Sequence, residues 1–488
     1  MQESLTREDP KPVLFVDLDG TLIASDLLWE AFIRAVKVEP WFAFWVPFWL
    51  FRGRAAFKHA IAQRGIPDPK VLPYRDEVLR YLLERKRDGH RVVLITASHQ
   101  RWADPVAAHL QMFDDVLATR ADLNVKGRKK LAMIEAYCEE HGIASWGYMG
   151  DAHADVPIWE KAHEVHLVAP SAGLLERVRR LLRREPTQVF GQRPGLLKPA
   201  LKALRPHQWV KNVLLFVPLL LARQYFDVEK TFAALVAFAS FSLCASSVYV
   251  FNDLLDIEAD RLHPRKRKRP FASGSIPLLY GPPFALAVLL LAFTIAVLWL
   301  PATYVGVLVL YMLVTSAYSA SLKSKLLIDV FILAGLYTLR IFAGGVATGL
   351  VVSEWLLAFS IFMFTSLAFA KRYVEMSRLQ AEGKTSAHGR GYEVGDIPLL
   401  ESFGATSGYI AVLVFALYIH DGLPAFYTNR WMLWLSCPLL LFWISRLWFL
   451  AKRGELHDDP VVFAVTDRIS LGVGVAVGLL MLLAAPLW

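Results

Sequence analysis

The sequence Asp17-Leu18-Asp19-Gly20-Thr21 directly follows a short apolar run, VLFV at 13–16. Two carboxylates at i and i+2 where a chain leaves a strand can address one site, and that edge is where open α/β sheets place ligands. Three further pieces follow in order: Thr96-Ala97-Ser98 after RVVLI, Gly127-Arg128-Lys129-Lys130 opening a helical stretch, and Gly150-Asp151-Ala152-His153-Ala154-Asp155 after another apolar segment. Phosphoryl transfer needs a nucleophile, a proton donor for the leaving oxygen and positive charge against the phosphoryl oxygens, and these residue types supply all three. Much later comes Asn252-Asp253-Leu254-Leu255-Asp256-Ile257-Glu258-Ala259-Asp260. Its aspartates at i, i+3 and i+7 share one face if the helix continues. Three like charges beside a low dielectric repel, so a divalent cation carrying a pyrophosphate is their natural partner.

The elements that must position these groups differ between the two halves of the chain. Of 488 residues, 55% are hydrophobic and only 20% charged, a composition that excludes a wholly soluble protein. Before about residue 195 charged and apolar residues mix at helix and strand periods, with buried parallel strands expected at 13–19 and 91–96. After it, apolar runs long enough to cross a bilayer recur, near 209–223, 231–251, 283–300, 302–321, 327–349, 354–370, 404–420, 431–450 and 468–487. A Pro- and Gly-containing joint at 186–200 separates a soluble domain, 11–185, from a membrane domain, 201–488. The polar N-terminus has no apolar core of a signal peptide, which keeps it in the cytoplasm. The cytoplasmic connections then hold Arg261, Arg265 to Arg269, Lys323, Lys371, Arg372 and Arg390, a strong positive-inside bias, and an odd number of spans puts the C-terminus outside. WFAFWVPFWLF at 41–51 is too short to span; it reads equally as the core of a cap or as an interfacial segment. Cys138, Cys244 and Cys437 are odd in number and far apart, which excludes a disulfide framework and a zinc site. The net charge of +9 borders membrane segments rather than a soluble basic fold, which argues against nucleic acid.

The four pieces in the first half, taken together, resemble the haloacid dehalogenase superfamily of phosphohydrolases. The resemblance implies a Rossmann-like α/β domain with a small helical cap. It also implies that Asp17 is the nucleophile, that Asp19 is general acid and then base, and that Thr96 and Lys130 hold phosphoryl oxygens. A Mg²⁺ site would draw on Asp17, Asp19, Asp151 and Asp155. Lys130 is preferred to Lys126 and Lys129 because its GxxK spacing matches the family.

NDxxDxxxD closing the second membrane helix resembles the UbiA superfamily of intramembrane prenyltransferases, an all-α polytopic fold of about nine helices. Its members hold a diphosphate with two acidic motifs. In this chain the corresponding second connection, 371–403, carries Lys371, Arg372, Arg378, Lys384 and Arg390 and no aspartate pair. That departure is similar to the polyprenyl-phosphate phosphoribosyltransferase branch, as are Arg205 to Asn212, His263 to Pro270, Tyr318-Ser319 with Lys323, Asp329 to Tyr337 to Arg340, and Asp458-Asp459-Pro460. The resemblance implies transfer of 5-phosphoribose from phosphoribosyl pyrophosphate to a polyprenyl phosphate, with a second Mg²⁺ site at Asp253, Asp256 and Asp260 beside Asn252. Lys211, Lys266, Arg269 and Lys323 are then candidates for the donor phosphates. Lys371, Arg372 and Arg390 are candidates for the acceptor or the 5-phosphate, and Tyr318, Tyr337 and Arg340 for substrate contacts. An arginine inside an apolar span faces a polar cavity or a partner. Asp329 could instead pair with a cation such as Lys325.

The fusion suggests consecutive steps, the first half removing the 5-phosphate that the transfer leaves on a lipid-linked ribose, in a multi-pass protein of a bacterial inner membrane that feeds cell-envelope glycan. The alternative is a prenyltransferase using a prenyl diphosphate and a small aromatic or lipid acceptor beside an unrelated phosphatase. The partners that follow are the membrane, the polyprenyl phosphate and phosphoribosyl pyrophosphate, with a second copy of the chain left open.

Overall fold

A computed structural model describes residues 12–51, 54–120, 125–192, 195–385, 391–422, 427–456 and 459–484. The chain forms two compact units that do not follow chain order. Residues 1–204 belong with 249–285, and residues 205–248 belong with 286–488.

The first unit is built on six parallel strands: β1 (Val13–Val16), β2 (Arg91–His99), β3 (Asp115–Thr119), β4 (Trp146–Gly150), β5 (Glu164–Val168) and β6 (Gln188–Phe190). Their order is β3-β2-β1-β4-β5-β6, with Val13 in register with Arg91 on one side and with Trp146 on the other. All four residues of β1 are buried, as a central strand covered on both faces requires. Alternation sends Leu14 and Val16 into a core with Leu94, Trp102 and Met149, and Val13 and Phe15 into a second core with Ile134, Tyr148 and Trp159. The strand order reverses at β1, so the C-terminal ends of β1 and β4 flank the crevice where such sheets bind ligands.

Between β1 and β2 the chain builds a helical cap. Its first helix, Leu27–Val38, begins where the Asp26 carboxylate accepts the Leu28 N–H. The segment 41–51 forms a 3₁₀ turn, Pro40–Trp45, and a short helix, Val46–Phe51. Phe42 enters the core, as a cap segment requires, while Trp41 is 76% and Phe51 92% exposed. The unit is completed by the end of helix Val228–Leu255, helix Ile257–Leu262 and the chain as far as Ala285. There Val250, Leu254, Ile257, Phe271 and Ile276 form an apolar cluster with Trp29 and Ile33 of the cap.

The second unit is helical. Among the described residues of the whole chain, seven helices are long and apolar enough to cross a membrane: Val228–Leu255, Leu278–Trp299, Ala302–Ala320, Ile328–Thr348, Glu354–Ala381, Val394–His420 and Arg430–Lys452. An eighth is counted if Pro460–Thr466 and Arg468–Leu483, bent by 74°, act together. The expected span at 209–223 is divided into a 3₁₀ segment, Pro206–Phe216, and the five-residue helix Val217–Leu221, too short to cross.

Candidate active sites

Asp17 and Asp19 leave the end of β1 as the motif predicts. The Asp17 N–H donates to the Met149 carbonyl at 2.9 Å, which ties the exit of β1 to β4, and Asp17 Oδ1 accepts the Leu18 N–H at 2.8 Å. Lys130, in the first turn of helix Arg128–Glu140, places its buried ammonium 2.8 Å from Asp17 Oδ2 and 3.8 Å from Asp155 Oδ1. The same Nζ lies 3.1 Å from the Tyr148 hydroxyl. Asp151 and Asp155 come from the turn after β4. Gly20, at φ +76°, lets Asp151 approach: a Cβ there would lie 2.3 Å from Asp151 Oδ2.

The electrostatics follow from burial. Desolvation pushes the Asp17 carboxyl up to about 7 against the pull of Lys130, with Asp155 and Asp19 adding to the rise. Asp19 is likewise raised to about 7, first by burial and then by the charge of Asp26. Burial works against the Lys130 ammonium, yet Asp17 and Asp155 hold its pKa above the ordinary lysine value. Asp17, Asp151 and Asp155 can each offer a carboxylate oxygen within 4.8 Å of the others, the one such group of three among the described residues. Three hard oxygen donors suit Mg²⁺, and a cation there would relieve the crowding of buried carboxylates.

The Asp19 carboxylate is not one of the three converging ones, and both its oxygens are engaged, Oδ1 by the Leu27 N–H at 2.8 Å and Oδ2 by the Ser98 hydroxyl at 2.5 Å. Thr96 is fully buried, and its hydroxyl accepts the Ser98 N–H at 3.0 Å. The side chain that reaches the acid is therefore Ser98, two residues on, as strand alternation would place it. Lys58, from helix Arg54–Arg64, donates to the Ala97 carbonyl at 2.8 Å and lies near enough to favour the ionised form of Asp19. No motif announces Lys58, because it comes from the cap.

The acidic motif lies in the first unit. Helix Val228–Leu255 stops before Asp256, which heads the next helix, Ile257–Leu262, so the three aspartates do not ride on one unbroken helix. Asp253 and Asp260 are both buried and converge on one cation: the Arg269 guanidinium is 3.0 Å from Asp253 Oδ1 and 2.5 Å from Asp260 Oδ2. Asn252 and Asp256 are half-buried, and Lys266 is exposed in the turn Lys266–Lys268.

The remaining cationic candidates lie in the second unit. Asp459 pairs with Lys211 and stands 3.9 Å from Lys371, so it joins two of the expected phosphate binders. Arg372 is fully buried and pairs with Asp329 at 2.9 Å and with Glu375, and the Tyr392 hydroxyl donates to Asp329 at 2.6 Å. The cation beside Asp329 is thus Arg372, not the nearby Lys325. Tyr318 is half-buried on helix Ala302–Ala320, Lys323 lies in the turn Leu322–Ser324, and Arg390 is outside the described residues.

Arg340 has a protein partner for each of its three guanidinium nitrogens. It donates to Asn212 Oδ1 at 2.9 Å, to the Leu336 carbonyl at 2.5 Å and to the Tyr311 hydroxyl at 3.2 Å. The rings of Phe241, Tyr311 and Tyr337 lie 5.1–5.3 Å from its guanidinium carbon. Arg340→Met is expected to strand Asn212 and Tyr311 and to destabilise this unit by roughly 2–3 kcal/mol. Thermal unfolding of the detergent-solubilised protein measures this; an unchanged Tm with lost substrate affinity would assign Arg340 to a ligand instead.

Comparison with known proteins addresses both halves. The model of the UbiA prenyltransferase family matches residues 213–484, and that of haloacid dehalogenase-like hydrolases matches residues 14–160. Over 470 residues the chain is 37% identical to the protein y4nM of Sinorhizobium fredii, covering 96% of this chain and 90% of the relative, so both halves recur together. It is 36% identical to the nodulation protein NoeC of Azorhizobium caulinodans, over 58% of this chain and 92% of that one. It is 32% identical to decaprenyl-phosphate phosphoribosyltransferase of Mycobacterium tuberculosis, again over 58% of this chain and 92% of the relative.

Proposed function

This chain belongs to the UbiA prenyltransferase family and carries a haloacid dehalogenase-like domain, and from that premise we propose that it transfers 5-phosphoribose from phosphoribosyl pyrophosphate to a polyprenyl phosphate and then removes the 5-phosphate. The observation that carries this reading is the 32% identity to decaprenyl-phosphate phosphoribosyltransferase over nearly that enzyme's whole length, in a chain that also holds Asp17, Lys130, Asp151 and Asp155 as a phosphoryl-transfer site.

In the transfer, an oxygen of the lipid phosphate attacks ribose C1 as the bond from C1 to pyrophosphate breaks. Asp253, Asp256 and Asp260 are the residues that would hold a Mg²⁺ ion, which would supply positive charge to the leaving pyrophosphate, with Arg269 at hand to take up phosphate charge. Asp253 and Asp260 are buried and already share one cation, Arg269. In the second unit, Lys211, Lys323 and Lys371 are the ammonium groups suited to bind phosphate oxygens.

In the hydrolysis, an Asp17 oxygen attacks phosphorus and the ester P–O bond breaks, the departing ribose oxygen taking its proton from Asp19. Water then cleaves the aspartyl-phosphate, with Asp19 accepting its proton. A carboxyl raised to about 7 by burial is poised for that acid and base work near neutral pH. Lys130 holds Asp17 in line and balances charge on the phosphoryl oxygens, while Asp17, Asp151 and Asp155 are the carboxylates that would hold a Mg²⁺ ion. When bound, the metal supplies further positive charge against those oxygens. The basic connections, Arg261 and Arg265 to Arg269 above all, support a reading in which both reactions take place on the cytoplasmic side of a bacterial inner membrane, where the product would serve cell-envelope glycan synthesis.

The test is incubation of purified full-length protein with Mg²⁺, polyprenyl monophosphate and radiolabelled phosphoribosyl pyrophosphate, followed by lipid extraction and mass analysis. Lipid-linked ribose lacking its 5-phosphate is the expected product. Absence of lipid label, together with consumption of a prenyl diphosphate in its place, would overturn the reading in favour of prenyl transfer.

A further inference from the structure

The cap helix Leu27–Val38 carries a carboxylate that the chemistry above does not use. Glu30 is buried, and its partner comes from the segment that holds the acidic motif, 231 residues along the chain. Arg261 grips Glu30 with both ends of its fork, Nη2 to Oε1 at 2.6 Å and Nη1 to Oε2 at 3.1 Å. Its Nε donates to the Ala272 carbonyl at 3.0 Å, and its side chain is only 7% exposed. Both residues lie in the first compact unit.

From Glu30 the connection runs to the general acid in two short steps. The Ser25 hydroxyl donates to Glu30, and the Ser25 carbonyl accepts the Gly20 N–H at 3.0 Å, next to Asp19. Three residues before Glu30, the Leu27 N–H is itself a donor to Asp19. A second contact fixes the same loop without any charge. Gly274, at φ +72°, packs so closely that a Cβ there would lie 2.1 Å from the Ala24 carbonyl oxygen. Loop 19–30 is therefore held by segment 249–285 at two independent points, one ionic and one backbone to backbone.

We infer that Arg261 is a positioning residue for phosphate ester hydrolysis: through Glu30 and Ser25 it sets the loop that aims Asp19 at the leaving oxygen. The inference rests on the hydrolase reading of the first half and adds that this hydrolase needs a piece of the membrane half to be active. A general acid matters most when the leaving alkoxide is basic, and little when it is already a good leaving group. Misaiming Asp19 should therefore hurt an alkyl ester more than an aryl ester, whereas general damage to the fold would hurt both alike.

The experiment compares kcat/KM of the full-length protein for ribose 5-phosphate and for p-nitrophenyl phosphate with Mg²⁺, in wild type and in Glu30→Gln, Arg261→Met and Arg261→Lys. Glu30→Gln and Arg261→Met are expected to lose about tenfold or more on ribose 5-phosphate and far less on the aryl ester, with Arg261→Lys recovering part of the loss. Equal losses on the two esters, or none, would overturn the inference. If Arg261→Met does not fold, the isosteric Glu30→Gln decides the matter in the same way. Wild type that cleaves neither ester would instead remove the hydrolase reading itself.

Discussion

Asp17→Asn is expected to reduce ester hydrolysis by roughly 10⁴-fold or more in kcat while pentosyl transfer continues unchanged, so that the lipid-linked ribose keeps its 5-phosphate and accumulates. The amide preserves the shape of the site and can still accept the Leu18 N–H, but it is no nucleophile toward phosphorus. Lys130 keeps Asp155 as a counter-charge, so the variant should fold. Mass analysis of the extracted lipid gives the answer directly, as a species heavier by one phosphate. Transfer lost along with hydrolysis would contradict two separate chemistries in one chain.

Asp253→Asn is expected to act on the other reaction, lowering transfer by roughly 10²- to 10³-fold while hydrolysis of ribose 5-phosphate persists. Asp253 is buried and shares Arg269 with Asp260. Neutralising it removes one of the two carboxylates that balance that guanidinium, and so weakens the hold on any cation that carries pyrophosphate. The measurement is initial-rate lipid labelling over a range of Mg²⁺ concentrations. A deficit that high Mg²⁺ repairs would place Asp253 in metal binding, and an unimpaired rate would take the acidic motif out of the chemistry.

Much of the hydrolase site was legible because each of its pieces is local in sequence. DxDGT, the Thr96 turn, the GxxK helix start and the GDxxxD turn each sit at a strand end or helix start, and the parallel sheet brings those ends together. What local pattern cannot show is which side chain at an exit turns inward. Ser98, from the bulged end of β2, meets Asp19, a contact that no spacing in the sequence announces. Lys58 had no signal for a different reason, since cap residues follow no motif.

In the membrane half, composition located the long helices and misjudged one short segment. Residues 209–223 are apolar enough to span, but Pro206 and Pro218 bracket a 3₁₀ stretch and leave only a five-residue helix. Asp329 shows the limit of nearness along the chain: Lys325 is one helical turn away, yet the neighbouring helix supplies Arg372. Arg340 was rightly singled out as needing polar company, and that company turned out to be Asn212 and Tyr311.

The discontinuous make-up of the first unit bears on how the chain is born. Its sheet is complete by Phe190, but the cluster around Ile33 and the partner of Glu30 are contributed by residues 249–285. At ribosomal rates the last of those residues is made about 4–16 s after residue 204, and after helix Val228–Leu255. Until then the first unit lacks the partner of Glu30 and the far side of the apolar cluster around Ile33. The first unit is therefore complete only after the first membrane-length helix has been synthesised, so its last packing partners arrive from beyond a segment of quite different character.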